Sequence, residues 1–222
     1  MTTFHYEDTG LIDYQKCWDY QEKLLEQVQA DKKSRKGPTP LNYFLLVEHP
    51  HVYTLGKSGD AHNLLVQDEF LKKIGATFCR IDRGGDITYH GPGQLVGYPI
   101  IDLEYFRIGI RQYIEKMEEA IIAAVACYGI SSGRKEGATG VWIDATIPEK
   151  ARKICAIGVR VSRYVTMHGF ALNVNTDMRY FHYINPCGFT AYGTTSMERE
   201  LGRPIDMQEV KNAIREKFND IF

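Results

Sequence analysis

The run Ala76 to Ile101, ATFCRIDRGGDITYHGPGQLVGYPII, decides the fold. Ala76 to Ile81 and Leu95 to Ile101 are apolar and strand-like, and no helix separates them. Between them Arg83 to Gln94 packs four glycines, a proline, a threonine and a histidine into RGGDITYHGPGQ. Each glycine loses more entropy on ordering than any other residue, so a stretch this rich in them reads as backbone that must come close to a ligand. An ordinary glycine-rich turn is the plainer alternative.

Outward from this stretch, helical spacing of Tyr14, Trp18, Leu25 and Val28 predicts a helix from Leu11 to about Lys36, ended by Gly37-Pro38. Strands are expected at Leu41 to Glu48 and Val52 to Leu55, and a short helix at Gln67 to Ile74. A strong stripe, Ile110, Ile114, Met117, Ile121, Val125 and Tyr128, predicts a second long helix. Strands follow at Gly140 to Ile143, Lys153 to Val161 and Val165 to Val174, then a short helix within Asn175 to Tyr183 and a turn at INPCGF. The glycines and charges of Ser131 to Gly140 leave open a segment that orders only on binding. Asp206 with Glu209 three residues on starts the last helix as a capping box. Long helices mixed with strands, with no regular strand-helix alternation, give an α+β fold of mixed sheets packed with helices rather than a doubly wound sheet.

The chain has 222 residues, 44% of them hydrophobic, and a formal net charge of -1. That supports one domain over residues 1–222 with a sizeable core, and gives no overall charge that would draw the chain to nucleic acid or an anionic membrane. MTTFHYEDTG is neither a basic leader nor an apolar run, so a cytoplasmic protein is expected. Five scattered cysteines without a CxxC pair argue against a zinc site or a disulfide framework. His49 and His51 flank a proline where a turn is expected, and no metal is expected. Gly56-Lys57-Ser58 ends like a phosphate-binding loop, but His51 stands where that motif requires glycine. A nucleotide site of that type is therefore discarded.

Cys187, in Pro186-Cys187-Gly188, sits where a carbonyl group could approach its sulfur; it is a candidate nucleophile or an inert turn cysteine. Lys153 opens the apolar strand KICAIGV, either as a solvated strand end or as a base that raises the thiolate fraction of Cys187. His90 and His168 each precede a glycine and could bound a pocket.

Taken together, RGGDITYHGPGQLVGYP, KICAIGVRVSRYVTMHGFALNV and NPCGF, with VEHPHVYTLG before them, resemble the lipoyl(octanoyl) transferase family over about Tyr43 to Phe189. The resemblance implies the fold of biotin and lipoate ligase catalytic domains, with Cys187 as nucleophile and Lys153 as its partner. It implies an acyl pocket walled by Arg83, Gly84, Gly85, Asp86, Ile87, Thr88, Tyr89 and His90, by Ala156, Ile157 and Gly158, and by Gly169, Phe170 and Ala171. Tyr89, Ile157, Phe170 and Ala171 are the candidates for its apolar slot. The implied donor is octanoyl-acyl carrier protein. The implied acceptors are lipoyl domains of 2-oxoacid dehydrogenase complexes and the glycine cleavage H protein. No cofactor is implied; an ATP-dependent lipoate ligase or an amidotransferase of the same fold is the alternative. The carrier and acceptor proteins are generally acidic, which makes Arg83, Arg134, Lys135, Lys150, Arg152, Arg160 and Arg163 docking candidates. Two positions depart from the family pattern: Cys155 stands where a small residue is usual, offering a second thiol to labelling reagents, and Tyr164 where tryptophan is frequent.

Overall fold

The computed structural model describes residues 4–34, 40–185 and 192–222. A large mixed sheet forms its frame. Its strands are β1 (His5–Leu11), β2 (Tyr43–Glu48), β6 (Gln94–Ile100), β7 (Gly133–Lys135), β8 (Ala138–Ile143), β9 (Arg152–Ser162), β10 (Val165–Asn173) and β11 (Gly193–Thr194). They lie in the order β1-β2-β6-β10-β9-β8-β7, with β11 pairing onto β9. A smaller sheet holds β3 (Val52–Leu55) between β4 (Thr77–Arg80) and β5 (Ile87–His90).

The central strands of the large sheet are buried on both faces, as continuous apolar runs such as YFLLVE require. In β2, Phe44 and Leu46 face the cluster built with helices α3 (Ile110–Ala126) and α5 (Met207–Ile221), while Leu45 and Val47 face α1 (Tyr14–Ser34). This is the period of two that an extended strand imposes. The small sheet packs Tyr53, Leu55, Ile87 and Tyr89 against Leu71 of α2 (Asp68–Lys73) and against Met178, Phe181 and Ile184. A short helix α4 (Met197–Leu201) precedes α5.

Three expectations change. The first helix begins at Tyr14 rather than Leu11, because the Asp13 carboxylate accepts the Lys16 N–H at 3.1 Å. The residues before it, HYEDTGL, form edge strand β1, parallel to β2. They carry no strand periodicity of their own, and their ladder comes from the neighbouring strand. Residues 131–140 contain β7, the turn and the start of β8, which pair as a hairpin. Gly137 at φ 73 makes the reversal. Glu118 fastens the hairpin by accepting from the Gly140 N–H at 2.9 Å and the Arg134 side chain at 3.0 Å. Finally, β5 lies inside the glycine-rich stretch. Residues 178–183 are a 3₁₀ helix, and the Asp206 side chain caps α5 through the N–H groups of Gln208 and Glu209.

Candidate functional site

A cavity lies where the α1 face of the large sheet meets the small sheet. It is lined by Tyr14 of α1, by Val96 and Tyr98 of β6, by Lys153, Ala156 and Gly158 of β9, by His168, Gly169 and Ala171 of β10, and by Arg83, Gly85 to Thr88 and His90 opposite. All the expected pocket residues border it except Gly84 and Tyr89. Each exception has a physical reason. Tyr89 turns into the small-sheet core, stacked on Tyr180 at 4.9 Å with its hydroxyl 2.7 Å from His51 Nδ1. It therefore leaves the apolar slot. Gly84 fastens the loop instead, donating its N–H to the Val159 carbonyl at 2.9 Å. Phe170 borders the cavity, but its ring packs with Phe44 and Phe218 in the helix-side core, and Ile157 packs toward the same side.

The glycine-rich stretch is held in place by backbone contact. Lys57 N–H donates to the Arg83 carbonyl at 3.0 Å, Gly56 N–H to the Asp86 carbonyl at 3.3 Å, and the Ser58 hydroxyl to the Gly85 carbonyl at 3.1 Å. The tripeptide that looked like a phosphate loop is thus the clasp of this stretch. Arg83 is buried, giving hydrogen bonds to the Thr54 carbonyl at 2.8 Å, the Thr54 hydroxyl at 3.0 Å and the Gly84 carbonyl at 3.0 Å. It is a structural brace and not part of a docking rim. Arg134, Arg152 and Arg160 are paired with Glu118 and Glu119, with Asp144 and Glu200, and with Glu22 and Asp82.

Polar side chains lining the cavity form a connected hydrogen-bond network. His90 Nδ1 lies 2.8 Å from Gln94 Oε1, and Gln94 Nε2 donates to Asn173 Oδ1 at 2.9 Å and to the Tyr89 carbonyl at 3.1 Å. The carbonyl partner makes Nδ1 the protonated nitrogen of His90. Burial, and then the neighbouring His49 and Arg83, hold His90 well below the usual histidine range. His168 is buried in the left-handed region at φ 58, with its N–H on Gln21 Oε1 and Nε2 3.0 Å from Asp82. Such a backbone costs about 1 kcal/mol or more for a non-glycine residue, and these contacts hold it. Burial lowers the His168 pKa, partly offset by Asp82. Sequence reasoning missed Tyr14, Val96, Tyr98, Asn173, Phe181 and Thr194 as lining residues. Tyr14 read as part of a helical stripe and Val96 as part of a strand, and only the fold turns them to a cavity.

His49 gives a pH prediction. Its Nδ1 donates to the Ile12 carbonyl and its Nε2 accepts from the Tyr98 hydroxyl, both at 2.8 Å. Burial lowers its pKa to about 4, with the Ile12 carbonyl and Asp13 pulling the other way. The unfolded chain takes up a proton near 6.5 that the folded chain resists. Stability is therefore fully present above pH 6.5 and falls as the pH drops toward 4, by about 1.4 kcal/mol per pH unit for such a histidine. Urea unfolding at pH 7, 6 and 5 should show this fall, and His49→Gln should lower its slope by about one proton's worth; an unchanged slope refutes the assignment.

Lys153 stands at one end of the cavity, paired across strands with Trp142 of β8 and Thr194 of β11. The segment containing Cys187 lies outside the described residues. Among the other cysteines Cys155 is fully buried, and burial pushes its thiol up, against the pull of Lys153. It is not the second reactive thiol that its position suggested. Cys127, at the end of α3, is the exposed one.

A family described as lipoyl protein ligase A/B catalytic domain matches residues 13–219. An octanoyltransferase of Christiangramia forsetii is 54% identical over 218 residues, 96% of this chain and 93% of that protein. One of Parabacteroides distasonis is 51% identical over 222 residues, the full length of both. Among solved structures, the bipartite lipoate protein ligase of an archaeal lipoylation system from Thermoplasma acidophilum has a TM-score of 0.68 at 18% identity, covering 98% of this chain and 84% of that one. Biotin protein ligase of Aquifex aeolicus has a TM-score of 0.54 at 13% identity, covering 99% and 70%. At these identities the structural likeness is one of fold.

Proposed function

This chain belongs to the octanoyltransferases of the lipoyl protein ligase A/B catalytic-domain family, and from that premise we propose that it moves an octanoyl group from acyl carrier protein to a lysine of lipoyl domains through a thioester on Cys187. Residues 1–222 would act as one catalytic domain. Among the described residues no helix is long and apolar enough to cross a membrane.

The observation that carries the reading is the position of Lys153. It borders a largely apolar cavity, and β11, the strand after the Cys187 segment, pairs beside it: Gly193 N–H donates to the Ala151 carbonyl at 3.1 Å and Thr195 N–H to the Lys153 carbonyl at 3.0 Å. The six residue steps from Cys187 to Gly193 span at most about 20 Å, so the thiol is within chain reach of the lysine.

The chemistry follows from the groups. With Cys187 as thiolate and Lys153 as ammonium, the sulfur attacks the octanoyl thioester. The C–S bond to the carrier breaks, and its thiolate leaves with the Lys153 proton. The neutral amine of the acceptor lysine then attacks octanoyl-Cys187. Its proton passes to Lys153, the C–S bond to Cys187 breaks, and an amide and the original thiolate-ammonium pair result. Exchange of thioesters is nearly balanced, while amide formation is downhill, so no nucleotide enters the scheme. Ala156, Ala171, Val96 and Ile87 supply apolar walls for the chain.

The test is intact mass and peptide mapping after incubation with octanoyl carrier protein without ATP. One hydroxylamine-labile octanoyl group on Cys187, passed on to a lipoyl domain and absent from Cys187→Ser, is the expected result. An adduct on exposed Cys127, or a requirement for ATP, overturns the proposal.

A further inference from the structure

Resting on the proposed transfer chemistry, we propose that Trp142 is the positioning residue for Lys153, holding its ammonium group over the indole face beside the cavity. The two residues are directly opposed in β8 and β9, and Lys153 Nζ sits 4.7 Å from the centroid of the Trp142 ring. A cation within about 6 Å of an indole face is attracted by the ring quadrupole, and tryptophan is the strongest partner for this. The neutral amine gains much less from the same face. The pairing therefore favours the protonated lysine.

Three further features fix this geometry. Gly140, at φ 118, clears the space for the lysine stem: a Cβ there would lie 2.5 Å from the Cys155 carbonyl oxygen and 3.5 Å from Lys153 Cδ and Cε. The register shift between Val141 and Trp142 sets the indole opposite the lysine. Trp142 itself is almost wholly buried, its Nε1–H donating to the Ala138 carbonyl at 2.9 Å and its ring meeting the Tyr192 ring edge-on at 5.7 Å. Tyr192 in turn carries Lys135 at 4.4 Å. The indole cannot swing away without losing these contacts.

The consequence concerns the proton cycle. Between turnovers the cysteine-lysine pair needs its proton on nitrogen, and after acylation Lys153 must be a strong enough base to take one from the incoming amine. A π face that stabilises the ammonium favours the resting pair and the uptake of the amine proton, at some cost to the release of the proton to the carrier thiolate. Weakening the face therefore moves the Lys153 titration midpoint to lower pH.

The experiment follows the Lys153 Cε resonance, assigned with Lys153→Arg, in lysine-labelled protein as pH is raised. The chain has two tryptophans, so biosynthetic fluorotryptophans of increasing fluorine content weaken the indole quadrupole at nearly constant shape. The Lys153 midpoint should fall stepwise, by about 0.5 to 1 unit in the most fluorinated protein. Trp142→Leu should fall as far and Trp142→Phe less. A Lys153 midpoint indifferent to fluorination, or Phe and Leu variants that titrate alike, overturns the inference and leaves the ring a packing element. The titration needs no turnover, so it separates failure of this inference from failure of the transfer chemistry.

Discussion

Lys153→Ala is expected to fold normally and to lose octanoyl transfer by 10²–10⁴-fold, the usual weight of a positioned proton-transfer group. The side chain is partly exposed at the cavity end, so its removal opens no core void. Its two roles separate with pH. Free of a partner, a cysteine near pKa 8.5 is only about 3% thiolate at pH 7, so acylation of the variant should be slow at pH 7 and largely recover near pH 9. Transfer to the acceptor amine should not recover in parallel, because no group is then placed to take its proton. Lys153→Arg sharpens the contrast: the cation remains, but guanidinium does not give up its proton in proteins. It should acylate and then stall, accumulating octanoyl-Cys187. Stopped reactions resolved by intact mass at pH 7 and 9 read both steps. If Lys153→Ala acylates at the parent rate at pH 7, the lysine is removed from the chemistry.

What could be read from the chain alone follows from the range of the forces involved. The helical stripes of α1 and α3 and the apolar runs of β2, β6 and β10 are local patterns, and they place most of the frame. β1 was not readable, since HYEDTGL is a strand only because β2 offers it a ladder. Most of β8 was read as a strand, but β7 was not, for a similar reason: the hairpin is fastened by Glu118, about 20 residues away, binding Gly140 and Arg134. At the site, the identity of the lining residues came through the family resemblance, while their directions did not. Strand alternation sends Ala156 and Gly158 toward the cavity and Ile157 to the core, and it sends Tyr89 into the small-sheet core. The role of Gly56-Lys57-Ser58 carried no local signal, since its glycine is required by a contact with residues about thirty positions downstream.

That contact makes Gly56→Ala the second large lesion. A Cβ at residue 56 would lie 2.2 Å from the Gly85 carbonyl oxygen and 2.9 Å from its carbon, with backbone on the receiving side. No rotamer change relieves such a clash, so the Gly85 peptide must move. Gly85 borders the cavity, and its loop is also tied to β9 by the Gly84 N–H on Val159 and by the Gly84 carbonyl packed over Gly158. The expected cost is about 1–3 kcal/mol of stability, as for overpacking elsewhere. Displacing one wall of the site by about 1 Å is enough for a 10²-fold fall in transfer. Gly133→Ala serves as the control, because a Cβ there meets nothing within 4 Å and its φ is not positive. Urea unfolding of both variants should separate them by the clash energy. Single-turnover acylation, run where both are fully folded, should be slow only in Gly56→Ala. A Gly56→Ala protein that is destabilised yet acylates at the parent rate would mean that the glycine-rich stretch supports the small sheet without shaping the acyl site.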